Sequence, residues 1–408
     1  MRRTADQAGL PAGRERGALA GMRHPLLFAL LACSFLAPTF AAVNAAPAGS
    51  LVFVGTYTGP KSRGIHAFRL VERAGQPALE PLGLAAEMAQ PSFLALDPAR
   101  GLLFAISESA TFGDRPTGWV ASFRIDRTTG RLEQLSTAST GASGPCHLLL
   151  DRTGRTLLVA NYSGAAVASL PVDAAGRLGE PVSVLRHEGS SVHPTRQKAP
   201  HPHAVTLDPA ERFLYVCDLG IDQVRVYRFD AATHRLTPHT PASVRLRPGA
   251  GPRHLAFRPD GRFAYAVNEL DSTVTVFRHD AAAGRLETVE SVSTLPAGFT
   301  GRSTTAEIQA HPNGRWLYAS NRGHDSLAVF AIDAARGTLT AQGHVPTGGR
   351  TPRHFGWDPS GTIVAMGNQD SDTVVLGRLD PATGVIRPSP HVAAVPSPVC
   401  MVFLPPAP

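Results

Sequence analysis

Residues 252–268 read PRHLAFRPDGRFAYAVN, and this stretch decides the fold. A proline opens a short apolar run. Pro259-Asp260-Gly261-Arg262 then makes a turn, a second apolar run follows, and Asn268 closes it. Each apolar run has strand length, and the Pro, Asp and Gly between them are turn residues, so the unit reads as a β-hairpin. The same phrase recurs as TAEIQAHPNGRWLYASN at 305–321 and as PRHFGWDPSGTIVAMGN at 352–368. Aligned on the turn, seven copies anchor at Pro98, Arg152, Pro209, Pro259, Pro312, Pro359 and Pro405, spaced 46 to 57 residues apart. That spacing belongs to blade or solenoid arrays.

Further strands extend the unit outward. After each hairpin comes an alternating run, such as Thr273–Phe277 or Val224–Tyr227. A polar turn opening on Asp173, Asp230, Asp280, Asp333 or Asp380 follows, and then a weaker fourth strand. Asp126 stands seven residues late, which places an insertion around residues 109–117. At the amino end, Leu51–Thr56 matches a second strand and Gly64–Leu70 a third, while the missing first strand lies at Val399–Leu404. The unit is thus completed by both termini. An open solenoid has no use for a split unit, whereas a ring closed this way leaves no sheet edge exposed. The expected fold is all-β, a seven-bladed β-propeller with one blade completed by both termini, over residues 47–408.

Residues 1–46 form an N-terminal extension. Arg23 and His24 precede an apolar stretch from Leu26 to Phe40, and small residues follow to Ala46, the pattern of a secretory signal peptide cleaved after Ala45 or Ala46. Leu30-Leu31-Ala32-Cys33 also fits a lipoprotein signal with Cys33 lipidated. The expectation is an exported, periplasmic or secreted protein. The stretch is short for a membrane span and is broken by Pro38. Of the 408 residues, 43% are hydrophobic and 17% charged, enough for a large core and too apolar for global disorder. The net charge of +7 comes from scattered arginines without a basic run, so nucleic acid is not an expected partner. Four cysteines without paired spacing argue against a disulfide framework.

The first strand of a blade lines the central channel, and its start lies beside the end of the antiparallel second strand. Read by register, the residues after the leading proline are Ser92, Cys146, His203, Arg253, Ala306, Arg353 and Val399. The next are Phe93, His147, Ala204, His254, Glu307, His354 and Cys400. The second strands end at Thr56, Glu108, Asn161, Asp218, Asn268, Asn321 and Asn368, followed by Tyr57, Ser109, Tyr162, Leu219, Glu269, Arg322 and Gln369. Four consecutive blades therefore bring His203, Arg253 with Glu269, Glu307 with Arg322, and Arg353 to one mouth. Each also has a structural reading. The arginines can bond carbonyls between blades, the glutamates can pair with them, and His147, His254 and His354, one residue off, read as structural. His201-Pro202-His203 with His193 upstream offers no evident third ligand, so neither a metal site nor another cofactor is expected. No phosphate loop, Cys-x-x-Cys or nucleophile elbow is present.

Several motifs together resemble the seven-bladed propeller lactonase family, which includes bacterial propeller-type 6-phosphogluconolactonases and fungal carboxymuconate-lactonizing enzymes. They are Val54-Gly55-Thr56-Tyr57-Thr58, Gln197 with Pro200-His201-Pro202-His203, Asp218-Leu219-Gly220 with Asp222, and Gly251-Pro252-Arg253-His254. Asn268-Glu269-Leu270, Glu307-Ile308-Gln309, Ser320-Asn321-Arg322-Gly323, Pro352-Arg353-His354-Phe355 and Asn368-Gln369 continue the match. The resemblance covers about residues 50–405. It implies hydrolysis of a sugar lactone, with His203, Arg253, Glu269 and Arg322 as catalytic residues. Candidate substrate contacts are Arg353, Glu307, His201, His254 and Gln309. His203 or Glu269 would be the base, and the arginines would meet the oxyanion. The apparent export signal departs from the intracellular phosphogluconolactonases and favours an unphosphorylated lactone. A lactonizing cyclase and a non-catalytic propeller binding a sugar or protein remain as alternatives.

Overall fold

A computed structural model describes residues 49–406. The export signal, the Cys33 reading and the cleavage positions lie outside the described residues. Seven four-stranded antiparallel sheets follow one another in a ring. Their inner strands are Pro398–Leu404, Phe93–Asp97, Pro145–Leu150, Pro202–Leu207, Pro252–Phe257, Thr304–Ala310 and Pro352–Trp357, for blades one to seven. Each blade then runs outward through its second, third and fourth strands. Blade one joins the termini as the sequence implies. Leu51 pairs with Leu404 and Thr56 with Pro398, so the carboxyl-terminal strand sits inside the first.

The hydrophobic pattern explains the stacking. The second strands LVFVGT, LLFAIS, TLLVAN, FLYVCD, FAYAVN and IVAMGN are buried along their whole length. Such strands are covered on both faces, so their side chains do not alternate apolar with polar. Phe263, Tyr265 and Val267 of blade five pack against Ile308, Leu317 and Phe330 of blade six, and every other blade boundary has a comparable cluster. The core is therefore distributed between blades rather than within one sheet.

The repeated phrase also carries its turn chemistry. Asp208 Oδ1 accepts the amides of Arg212 and Phe213 at 2.7 Å, and Asp151 and Asp358 do the same in their blades. At the opposite end, Asp222, Asp325 and Asp372 sit in left-handed turns with φ of 54°, 56° and 54°. Each accepts the amide just before the next blade's leading proline: Gly251 at 2.7 Å, Thr351 at 2.8 Å and Ser397 at 2.9 Å. This staple fixes where these three inner strands begin.

Two details correct the register. The second strand of blade two ends at Ser107, so Glu108, not Ser109, stands level with Tyr57, Tyr162, Glu269 and Arg322. In six blades the inner strand opens with a β-bulge. Pro252 pairs with Asn268 and His254 with Val267, leaving Arg253 as the extra residue. A bulge breaks the two-residue alternation and re-aims side chains. His254 and His354, read by register as one residue off the mouth, therefore turn into the same central cluster as Arg253.

Candidate active site

The pairing of Pro252 with Asn268 brings the following residue of one strand beside the residue after the other. Arg253 Nε donates to Glu269 Oε2 at 3.0 Å. From blade six, Arg322 Nη2 lies 3.0 Å from the same oxygen and donates to the carbonyl of Thr305 at 2.7 Å. The other carboxylate oxygen accepts Arg196 Nη2 at 2.6 Å, and that nitrogen also reaches the Tyr162 hydroxyl at 3.3 Å. Glu269 is 4% exposed. Burial alone would raise its carboxyl pKa, but Arg322, Arg253 and Arg196 outweigh burial and bring it to about 2. A carboxylate held ionised by three guanidinium groups is a weak base near neutral pH. Glu269 thus anchors the three arginines.

His203 occupies the bulge of blade four. Its ring lies edge-on to Tyr162 at 5.4 Å and 5.3 Å from His254, with Nδ1 3.8 Å from Cys146 Sγ. Its Nε2 has no hydrogen-bond partner among the described residues. Burial, then Arg253 and His254, hold its pKa well below the usual imidazole value. Arg253 is also partly committed: Nη1 donates to the Ala306 carbonyl at 2.7 Å and to His254 Nε2 at 2.9 Å, while Nη2 has no partner among the described residues. Because His254 Nε2 must accept, its Nδ1 carries the hydrogen and donates to Glu307 Oε1 at 3.2 Å. Glu307 is raised by burial, and His354, 3.5 Å from it, is lowered by burial to about 4. Beneath this cluster, Phe93 and His147 meet at 4.1 Å and contact His354 and His254, so rings from four blades fill the channel.

Across the mouth, the Arg353 guanidinium stands 5.2 Å over the Tyr57 ring, and Tyr57 donates to Glu108 at 3.0 Å. Arg353 makes no hydrogen bond or ion pair among the described residues, which leaves its fork available to an anionic group. His201 stacks on Tyr162 at 4.2 Å. Gln309 does not join the cluster: its amide donates to the Phe355 carbonyl at 2.8 Å and ties blade six to blade seven. Beside Glu269 a cleft of about 570 Å³ opens, lined by His193, Thr195, Arg196, Arg302 and Arg322. Among the described residues no group of three or more His, Cys, Asp or Glu side chains could hold a metal ion.

The fold thus joins His203, Arg253, Glu269, Arg322, Arg353, Glu307, His254 and His201 at one mouth. Sequence reasoning missed Arg196, and it ranked Tyr57, Tyr162 and Glu108 as repeat positions only. The variability of the position after the second strand was their one visible signal. A pH prediction follows from the depressed imidazoles. Between about pH 5.5 and 7.5 the rate of the reaction at this mouth should show no inflection from His203. A limb with its midpoint near 6.5, corrected for spontaneous hydrolysis, would mean that His203 titrates as an exposed imidazole.

An all-β ring of seven four-stranded blades, with arginines and histidines gathered at one mouth, is a seven-bladed β-propeller. The chain belongs to the seven-bladed β-propeller lactonase family, whose model matches residues 51–403. It is 34% identical over 353 residues to a 6-phosphogluconolactonase of Bacillus subtilis, covering 86% of this chain and 97% of that protein. A 6-phosphogluconolactonase of Pectobacterium carotovorum is 36% identical over 346 residues, covering 85% and 96%. Among solved structures, the periplasmic gluconolactonase PpgL of Pseudomonas aeruginosa superimposes with a TM-score of 0.81 at 36% identity, covering 88% of this chain and 99% of that one.

Proposed function

We propose that the protein hydrolyses an aldonolactone to the aldonic acid at this mouth. The observation that carries the reading is that His203 Nε2 and Arg253 Nη2, on neighbouring blades of one mouth, both lack a partner among the described residues, with Glu269 fixing the arginines. Water attacks the lactone carbonyl carbon and passes its proton to His203 Nε2. The negative charge formed on the carbonyl oxygen meets Arg253 and Arg322. Collapse breaks the bond between the carbonyl carbon and the ring oxygen, and the proton on His203 returns to that oxygen. The product carries a free carboxyl group, which ionises in solution. His203 is a weak base, so the arginines supply most of the stabilisation by favouring the oxyanion.

The same reading places the protein outside the cytoplasm, acting on an unphosphorylated lactone. The Arg23–Ala46 pattern and the likeness to a periplasmic gluconolactonase support it. The test is acid release by the purified protein from gluconolactone, its 6-phosphate and a muconolactone, together with fractionation of expressing cells. Greater kcat/KM on gluconolactone and recovery outside the cytoplasm are expected. Acid release from none of the three, or cytoplasmic recovery with preference for the phosphate ester, would overturn the respective halves. Arg353 takes a hydroxyl edge of the substrate in this reading. Arg353→Gln should then raise KM by roughly tenfold with little change in kcat, the loss of one charge-assisted contact.

A further inference from the structure

The longest connection between blades is residues 187–201, which joins the outer strand Ser183–Arg186 of blade three to the inner strand of blade four. Both its ends rest on one carboxylate. His187 Nδ1 bonds Asp218 Oδ2 at 2.6 Å, and the amide of His201 donates to Asp218 Oδ1 at 2.7 Å. This is a compact loop with its ends together, the kind packed by its own side chains. Its middle is pinned a second time. Gln197, fully buried, donates from Nε2 to Asp222 Oδ1 and to the Leu219 carbonyl, both at 2.8 Å, and its Oε1 accepts the amide of His193 at 2.9 Å. Ser191 Oγ donates to Asp222 Oδ2 at 2.5 Å.

Asp222 thereby has a task that its counterparts lack. Asp325 and Asp372 staple the start of the next blade but bind no such loop. Asp222 makes the same staple to Gly251, two residues before Arg253, and holds Gln197, one residue after Arg196. One carboxylate sets the positions of two arginines that meet on Glu269. Arg196 spends only Nη2 on Glu269 and Tyr162; Nε and Nη1 have no partner among the described residues, and the side chain is 38% exposed along the cleft.

We propose that this loop is a fixed wall of the active site, with Arg196 as a substrate-binding residue and Gln197 and Asp222 as the positioning residues that present it. The cleft beside Arg196 also holds Arg302 and the hydroxyls of Thr195 and Ser303. Such a lining suits the hydroxyl-bearing arm of a sugar acid, the part of the substrate away from the ester. This rests on the lactonase reading.

The experiment is a double-mutant cycle on the full chain with gluconolactone, with melting temperatures measured for every variant. Arg196→Ala should lower kcat/KM about tenfold, mostly through KM, the loss of a hydrogen-bonded charged contact. Gln197→Ala should cause a similar fall in the native background and less than about a twofold fall on top of Arg196→Ala. A merely structural role would lower kcat/KM equally in both backgrounds, and that result, or full activity in Arg196→Ala, overturns the proposal. Amide hydrogen exchange gives a readout independent of turnover. Gln197→Ala should speed exchange across 187–201 and leave the other blades unchanged. Unchanged exchange there overturns the pinning even if the native protein hydrolyses no lactone, an outcome that by itself counts against the lactonase reading.

Discussion

Arg253→Ala lowers kcat/KM by at least ~100-fold, the loss expected on removing one oxyanion donor. The reason is geometric. Arg253 sits on a bulge, 3% exposed, with Nε on Glu269 and Nη1 on the Ala306 carbonyl and on His254. Those contacts fix the guanidinium plane before substrate arrives, so the free Nη2 needs no reorganisation when charge develops. Arg253→Lys is the companion variant. It keeps a positive charge but loses the rigid fork, so it should recover only part of the activity. Removing the side chain also takes one of three cations from Glu269, so melting temperatures must accompany the rates. A folded Arg253→Ala protein with native turnover on an active lactone removes Arg253 from the mechanism.

The second large effect is on acid stability. His203, His254 and His354, each no more than 6% exposed, are held neutral by burial, His354 down to about 4. In an unfolded chain they ionise near about pH 6.5. Above that pH both states are neutral at these positions and stability does not depend on pH through them. As pH falls below it, the unfolded chain binds protons that the folded chain excludes, so stability is lost. Each group contributes about 1.4 kcal/mol per pH unit, and the three together about 4. Glu269 acts in the same direction at lower pH. Its stabilisation is complete above an unfolded pKa of about 4.3 and is lost as pH falls toward its folded value of about 2. Glu307, raised by burial, opposes them by binding its proton first in the folded state. Against a typical domain stability of ~5–15 kcal/mol, the balance makes the fold lose stability progressively as pH falls below about 6.5. Thermal or urea melts from about pH 7.5 to 4.5 measure it, with a proton uptake of two or more on unfolding expected below about pH 5.5. A melting temperature that holds steady from pH 7 to 5 at a few degrees' tolerance contradicts the neutral cluster.

Most of the site was readable because register in a repeat is a coordinate system. Once Pro252 is known to open an inner strand and Asn268 to close a second one, Arg253 and Glu269 must be neighbours. The same logic gave Arg322 and His203. It was one residue out at Glu108: no closing Asn or Asp marks that strand end, although the nine-residue step from Pro98, equal to that from Pro259 to Asn268, points to Ser107. The family resemblance, not register, put Gln309 among the substrate contacts, while its side chain bonds the next blade's backbone. Register could not find Arg196, whose loop has no period to count from; what holds that loop is a set of side-chain hydrogen bonds to Asp218 and Asp222.

By itself the sequence determined the strands, their sevenfold order and the closure through blade one. Those follow from local turn chemistry and from apolar runs repeated at a steady interval. Tertiary structure alone decided which groups are ionised and which way they face. Charge state depends on the sum of burial and neighbouring guanidinium groups contributed by separate blades and a loop. Facing depends on the bulges that open the inner strands and re-aim their side chains.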